Sequence, residues 1–290
     1  MLSPIEGNAG IGQRVMCHGS FARSIRYFQI RRHDPDQNGA DLMALVLGQA
    51  FRNTRFKDPV SQNSQHHHEA AMLTIYGVLR SRATRPLWLL AETGTAFTHV
   101  PVIQSYRLAD PLAADAPLNT LSRDFLAISP QSAVPVMVDG DLTLTESLAI
   151  TLHLARQYGG TLGPQNASEL AQAEQWALFA GIAIDPPGLD ILYTHADGLA
   201  DTAEGAAKIA AAVDRLSRPL ARLETHFSTH DHLIGNRFTV ADIMLAECLR
   251  YSQPHAPLHA AYPKTFAWLA RCQARPAFVE MMKRRNAEPA

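Results

Sequence analysis

Ser81-Arg82-Ala83-Thr84-Arg85 stands between a short apolar run, Leu73-Thr74-Ile75-Tyr76-Gly77, and a helical stretch carrying Leu87, Trp88, Leu90 and Ala91. A hydroxyl at such a junction faces free N–H groups and the positive end of the helix dipole, a setting that favours an anion. Ser81 therefore has two readings, a cap for the helix or a donor to a ligand's thiolate or carboxylate. Pro86 fits only the first turn, so the helix is expected to begin close after Ser81. Arg82 and Arg85 oppose the dipole there, which favours a functional reason for them. Val134-Pro135 opens a second β run. A trans bond is the ordinary reading; a cis bond would turn the Val134 N–H and C=O outward, able to pair with an extended peptide as an added strand. Thr145-Glu146-Ser147 again joins a strand end to a helix start. Capping is one reading; in the other, Ser147 and the nearby N–H groups hold a carboxylate and Glu146 holds an ammonium. Taken in order, the three places describe a slot for a small zwitterionic peptide.

The elements that must position these residues follow from patterning. Leu73–Tyr76 reads as a strand, Leu87–Ala91 as a helical face stopped by Gly94, and Ala96–Ile103 as a second strand. Strand, helix and strand within about 30 residues is the size of a parallel βαβ unit. An irregular stretch rich in Pro, Ala and Asp fills 104–124. Val134–Val138, Asp139-Gly140 and Asp141–Leu144 form a hairpin signal. A helix from about Ser147 to Tyr158 follows, ended by Gly159-Gly160. Everything beyond Leu162-Gly163-Pro164 reads helical. Glu169–Ile184 is expected to stop at Pro186-Pro187, Ala206–Phe227 to carry and kink at Pro219, and Thr239-Val240-Ala241-Asp242 to open a helix with a capping box, Phe238 packing before it as a staple. The fold class expected is an α+β domain with a mixed sheet, followed by an all-helical domain.

The 290 residues carry a formal net charge of −1, which argues against a nucleic-acid partner. Hydrophobic residues at 47% support a sizeable core, and no apolar run reaches the ~18 residues of a membrane span. Cys17, Cys248 and Cys272 lie far apart without a C-x-x-C, which excludes a disulfide scaffold and a zinc ribbon and fits a reducing compartment, here the cytoplasm. Residues 1–71 differ from the rest, with one short amphipathic helix expected over Asp41–Phe56 and a polar run around His66-His67-His68. They read as a poorly ordered extension, a natural start at Met72, or a targeting peptide that Glu6, Asp34 and Asp36 do not suit. The triple histidine reads as solvated linker, and His226, His230 and His232 lack a metal-site context, so no metal is expected. The domains expected are 1–71, 72–160, a linker at 161–168, and 169–290.

Leu73 to Gly160 resembles the thioredoxin-like N-terminal half of a glutathione S-transferase. The resemblance rests on Ser81–Arg85, Ser129-Pro130-Gln131-Ser132-Ala133-Val134-Pro135, Asp139-Gly140 and Leu144–Ile150, and on Phe238–Ile243 in the helical half. It covers residues 72–290 and implies glutathione as co-substrate and a homodimer. By that resemblance Ser81, four residues before Arg85, would hydrogen-bond the glutathione sulfur in the manner of serine-type, bacterial-like members. Val134 would pair with the cysteinyl backbone, and Glu146 and Ser147 would hold the γ-glutamyl amine and carboxylate. One departure stands out: where many relatives read Asn-Pro-x-Gly-Lys-Val-Pro, Ala133 replaces the lysine that would contact the glycyl carboxylate. Arg80, Arg82 and Arg107 are candidates to compensate.

The function expected is conjugation: a glutathione thiolate attacks a small hydrophobic electrophile held against the helical half, as in detoxification. A non-catalytic binding or regulatory protein on the same scaffold is the alternative class, and a glutathione-dependent isomerase or dehalogenase is another use of the same thiolate. Trp176, Phe179, Ile182 and Tyr193 are candidate walls for the second substrate, with core as the competing reading. The disulfide chemistry of a protein thiol is not expected, since Ser81 and Thr84 stand where a redox cysteine pair would be.

Overall fold

The computed structural model describes residues 73–288. The expectations placed on residues 1–71, including the Asp41–Phe56 helix and the triple histidine, lie outside the described residues.

The sheet is built from β1 (Thr74–Tyr76), β2 (Thr98–Val100), β3 (Val136–Asp139) and β4 (Leu142–Leu144), in the order β2-β1-β3-β4. β1 pairs in parallel with β2, Thr74 opposite Thr98, and antiparallel with β3, Tyr76 opposite Val136. The β3–β4 hairpin turns at Gly140, whose φ of +60° a glycine adopts without a Cβ clash. α1 (Thr84–Thr93) crosses between the parallel strands and ends at Gly94, in the left-handed region at φ +66°. At the end of the stretch read as irregular, α2 (Arg123–Ile128) forms one short helix with Phe125 buried. α3 (Ser147–Tyr158) closes the half, its Ile150 and Leu154 fully buried under the sheet. The mixed sheet and βαβ–α–ββα order agree with the sequence reading.

The rest of the described chain is helical. α4 (Ala167–Phe179) begins at Asn166, whose side chain accepts from the Glu169 N–H. Pro186-Pro187 does not stop it, contrary to expectation. The turn Ala180–Ile184 widens to a π-helix, and α5 (Asp185–Ala196) starts directly after it. Both prolines then lie in the first turn of α5, where a missing N–H is tolerated. α6 (Ala203–His226) is capped by Thr202, which accepts from Gly205 N–H at 3.0 Å, and carries Pro219 in its interior.

α7 (Val240–Leu249) opens with the expected capping box at Thr239 and Asp242. Asp242 is fully buried and also accepts from the Leu233 N–H at 3.1 Å and Trp268 Nε1 at 3.0 Å. A buried carboxylate needs such donors, because unpaired it costs several kcal/mol. α8 (Pro257–Ala261), α9 (Pro263–Gln273) and α10 (Pro276–Ala287) complete the described residues. Trp88 of α1 is buried and packs on Phe238 and Phe278, with ring centroids 5.9 and 4.7 Å apart. That seam joins the sheet-bearing part to the helices through one hydrophobic core.

Candidate functional site

Ser81 lies in a turn three residues before α1. Its Oγ donates to the Val78 carbonyl at 2.6 Å and accepts from the Ala83 N–H at 3.0 Å. The helix starts close after Ser81 as expected, at Thr84, but its N-cap position is Ala83, without a side-chain cap bond. Pro86 still falls in the first turn. Ser81 thus closes the turn and not the helix, and it lines a cleft of about 350 Å3.

The Val134–Pro135 bond is cis. Among the described residues no hydrogen bond uses the Val134 backbone N–H or C=O. Val134 borders both the Ser81 cleft and an adjoining one of about 320 Å3 whose wall holds Glu146 and Ser147. The four residues singled out by sequence therefore meet around two clefts that share Val134, Ala133 and Arg82. Ser132 takes φ +56°, at the position where the resembling motif has glycine. Its Oγ donates to the Thr120 carbonyl at 2.6 Å and its N–H to the Ser129 carbonyl at 2.9 Å, which offsets a strain of roughly 1–2 kcal/mol.

Neither Glu146 nor Ser147 caps α3 through its side chain. Glu146 is exposed, holds φ +65°, and its carboxylate has no partner among the described residues. Ser147 is buried, and its Oγ accepts from Arg85 Nη1 at 2.8 Å, which leaves its own O–H free to donate. Arg85 is itself buried and paired with Asp185, which also takes Arg82 at 2.7 Å. α1, α3 and α5 are tied by this one cluster. The start of α1 is further held by Glu247 of α7, which accepts from the Thr84 hydroxyl and grips Arg250 at 2.8 Å.

Sequence reasoning missed Asp185 and Glu288. Glu288 accepts from the Leu79 and Arg80 N–H groups at 2.8 and 2.9 Å, pinning the segment just before Ser81. Asp185 adjoins Pro186-Pro187, and that signal read as a stop obscured it. For two of the candidate walls the competing core reading fails: Tyr193 is 50% exposed and lines the Ser81 cleft, and Ile182 is 72% exposed. Trp176 is buried, in agreement with the core reading. Of the cations considered for the glycyl end, Arg80 and Arg82 line the cleft, while Arg107 approaches Gln104 Oε1 at 3.4 Å. The His226 ring stacks on His230 and meets the His232 carbonyl at 3.0 Å. Burial pushes the Cys248 thiol up to about 12 and the Cys272 thiol well above its ordinary value, so neither is a ready nucleophile. Among the described residues no helix is long and apolar enough to cross a membrane.

A mixed sheet carrying this cleft, closed by a helical half, defines a class that the comparisons identify. The glutathione S-transferase N-terminal domain family matches residues 71–156, and the C-terminal domain family residues 184–276. The chain is 32% identical over 219 residues to glutathione S-transferase 3 of Zea mays, covering 72% of this chain and 92% of that protein. It is similar to the crystal structure of a theta class glutathione S-transferase of Xanthomonas axonopodis pv. citri with glutathione bound, at TM-score 0.57 and 30% identity, covering 72% of this chain and 96% of that one. A crystal structure of glutathione transferase F7 from Populus trichocarpa gives TM-score 0.61 and 26% identity, covering 74% and 99%. The chain belongs to the glutathione S-transferase family.

Proposed function

We propose that the chain is a working glutathione transferase of the serine type, acting in the cytoplasm as a homodimer, in which Ser81 stabilises the glutathione thiolate for attack on an electrophile. The observation that carries this reading is the meeting of Ser81, the unpaired Val134 backbone and the Glu146–Ser147 pair around adjoining clefts. The cysteinyl backbone of glutathione pairs with Val134 as an added strand. Its γ-glutamyl amine meets the free Glu146 carboxylate, and its γ-glutamyl carboxylate takes the Ser147 O–H and the first N–H groups of α3. A unified division of labour follows, in which 72–160 holds glutathione, 161–168 links, and 169–290 supplies the second wall.

The thiolate, and not the thiol, attacks. To reach the sulfur, the Ser81 hydroxyl exchanges its bond to the Val78 carbonyl for one to an anion. A neutral bond contributes about 0.5–1.5 kcal/mol and one to a charged acceptor about 1.5–3, so the exchange gains about 1–1.5 kcal/mol. The Ala83 N–H on the same oxygen polarises the O–H and strengthens its donation. That gain lowers the thiol pKa by roughly one unit. Ser81→Ala is therefore expected to lower kcat/KM about tenfold and to move the midpoint of its pH dependence up by about one unit. Assay with 1-chloro-2,4-dinitrobenzene across pH 5.5–8.5, alongside thiolate absorbance, reads both; full activity with an unmoved midpoint would remove Ser81 from this role.

A further inference from the structure

The Ser81 cleft is strongly cationic. Arg80, Arg82, Arg250 and Arg285 line it, and no Asp or Glu does. Two of these cations have carboxylate partners: Arg82 shares Asp185 with Arg85, and Arg250 is held by both oxygens of Glu247, at 2.8 and 3.3 Å. The guanidinium groups of Arg80 and Arg285 have no hydrogen-bond or ion-pair partner among the described residues, and the Nε of each is buried without one. Burial, then the neighbouring Arg250 and Arg80 cations, push Arg285 below the ordinary guanidinium value. Half-buried cations facing other cations are costly, and an anion placed among them removes that cost.

The same wall has an apolar part, Leu189, Leu192 and Tyr193 of α5, beside Tyr251. Neutral polar groups also line the cleft, among them Gln104, Thr120 and Ser132, and Gln104 Nε2 donates to the Arg80 carbonyl at 3.1 Å. We propose, resting on the transferase reading, that the second substrate of this cleft is an anionic electrophile: a flat apolar body against Leu189, Leu192 and Tyr193, with a carboxylate or sulfonate held by Arg285 and Arg80. A neutral hydrophobic acceptor would leave both guanidinium groups unpaired, which sets the direction of selectivity.

A matched pair of aryl chlorides tests it, 4-chloro-3-nitrobenzoate against 4-chloro-3-nitrobenzamide. In each, the glutathione sulfur forms a C–S bond at the carbon bearing chlorine, the C–Cl pair leaves as chloride, and the thiol proton passes to buffer. Each kcat/KM is divided by the rate with free glutathione, which removes the intrinsic difference in reactivity. The full chain is expected to favour the benzoate by about tenfold or more. Arg80→Gln with Arg285→Gln is expected to bring the ratio near one, and the Lys pair to retain most of it. A wild-type ratio at or below one overturns the proposal. So does a preference that survives the Gln pair, or a Gln pair that raises the glutathione KM with the ratio unchanged, which would assign the two arginines to the glycyl carboxylate. Failure to turn over either chloride or any neutral acceptor would instead sink the transferase reading. The charge preference is then read by calorimetry with unreactive 3-nitrobenzoate against 3-nitrobenzamide, glutathione present. There, tighter binding of the benzoate by about tenfold supports the proposal and equal binding overturns it.

Discussion

Cys248 is fully buried on α7, and burial holds its thiol at about 12 against an ordinary value of 9.0. Between those values the folded state keeps a proton that the unfolded state has lost, so stability falls as pH rises through that window. The slope from this one group is about 1.4 kcal/mol per pH unit. Cys248→Ala is expected to flatten the decline between pH 9 and 11 relative to wild type, measured as urea midpoints at each pH; parallel curves would count against it. The residues around the cleft differ in how far sequence alone exposes them. Ser81, Glu146 and Ser147 are legible because a polar group at a strand–helix junction has few roles to choose among. Val134 is legible only through its proline. Asp185 is not legible, because its partner Arg85 lies 100 residues away and no local pattern links a carboxylate to a cation at that distance. Nor are the unpaired charges of Arg80 and Arg285, since pairing is a property of the folded neighbourhood.

At the scale of elements, the β1–α1–β2 unit and the β3–β4 hairpin follow from apolar runs punctuated by Gly94 and Asp139-Gly140. α2 does not, because six residues with one buried side chain, Phe125, carry no period to read. The passage from α4 to α5 fails for another reason. A double proline normally ends a helix, and here a π-helical turn absorbs it. That turn delivers Asp185 to Arg85 and Arg82, so the irregularity positions the cluster that anchors α1 and α3. Asp185→Asn leaves the buried Arg85 charge uncompensated, which costs about 3–5 kcal/mol. The melting temperature is expected to fall by roughly 6–20 °C. A calorimetric scan showing a shift within 2 °C would mean that the cluster contributes little to holding these helices together.

At the scale of the whole molecule, the two parts share one core through Trp88, and one long-range tether reaches the site itself. Glu288, just past α10, receives both the Leu79 and Arg80 N–H groups. Glu288→Gln keeps one acceptor oxygen of the two, so one amide loses a charge-assisted bond of about 1.5–3 kcal/mol. Hydrogen exchange at Leu79 and Arg80 is expected to quicken by roughly tenfold or more while core amides stay protected; unchanged protection there would show that the turn holds itself. The tether also sets an order of events in time. Leu79 and Glu288 are 209 residues apart in the chain. At about 5–20 residues per second of synthesis, the Ser81 turn emerges from the ribosome roughly 10–40 s before its clasp exists. A nascent chain in that interval carries the strands and the serine while the Leu79 and Arg80 amides still lack the carboxylate that fixes them.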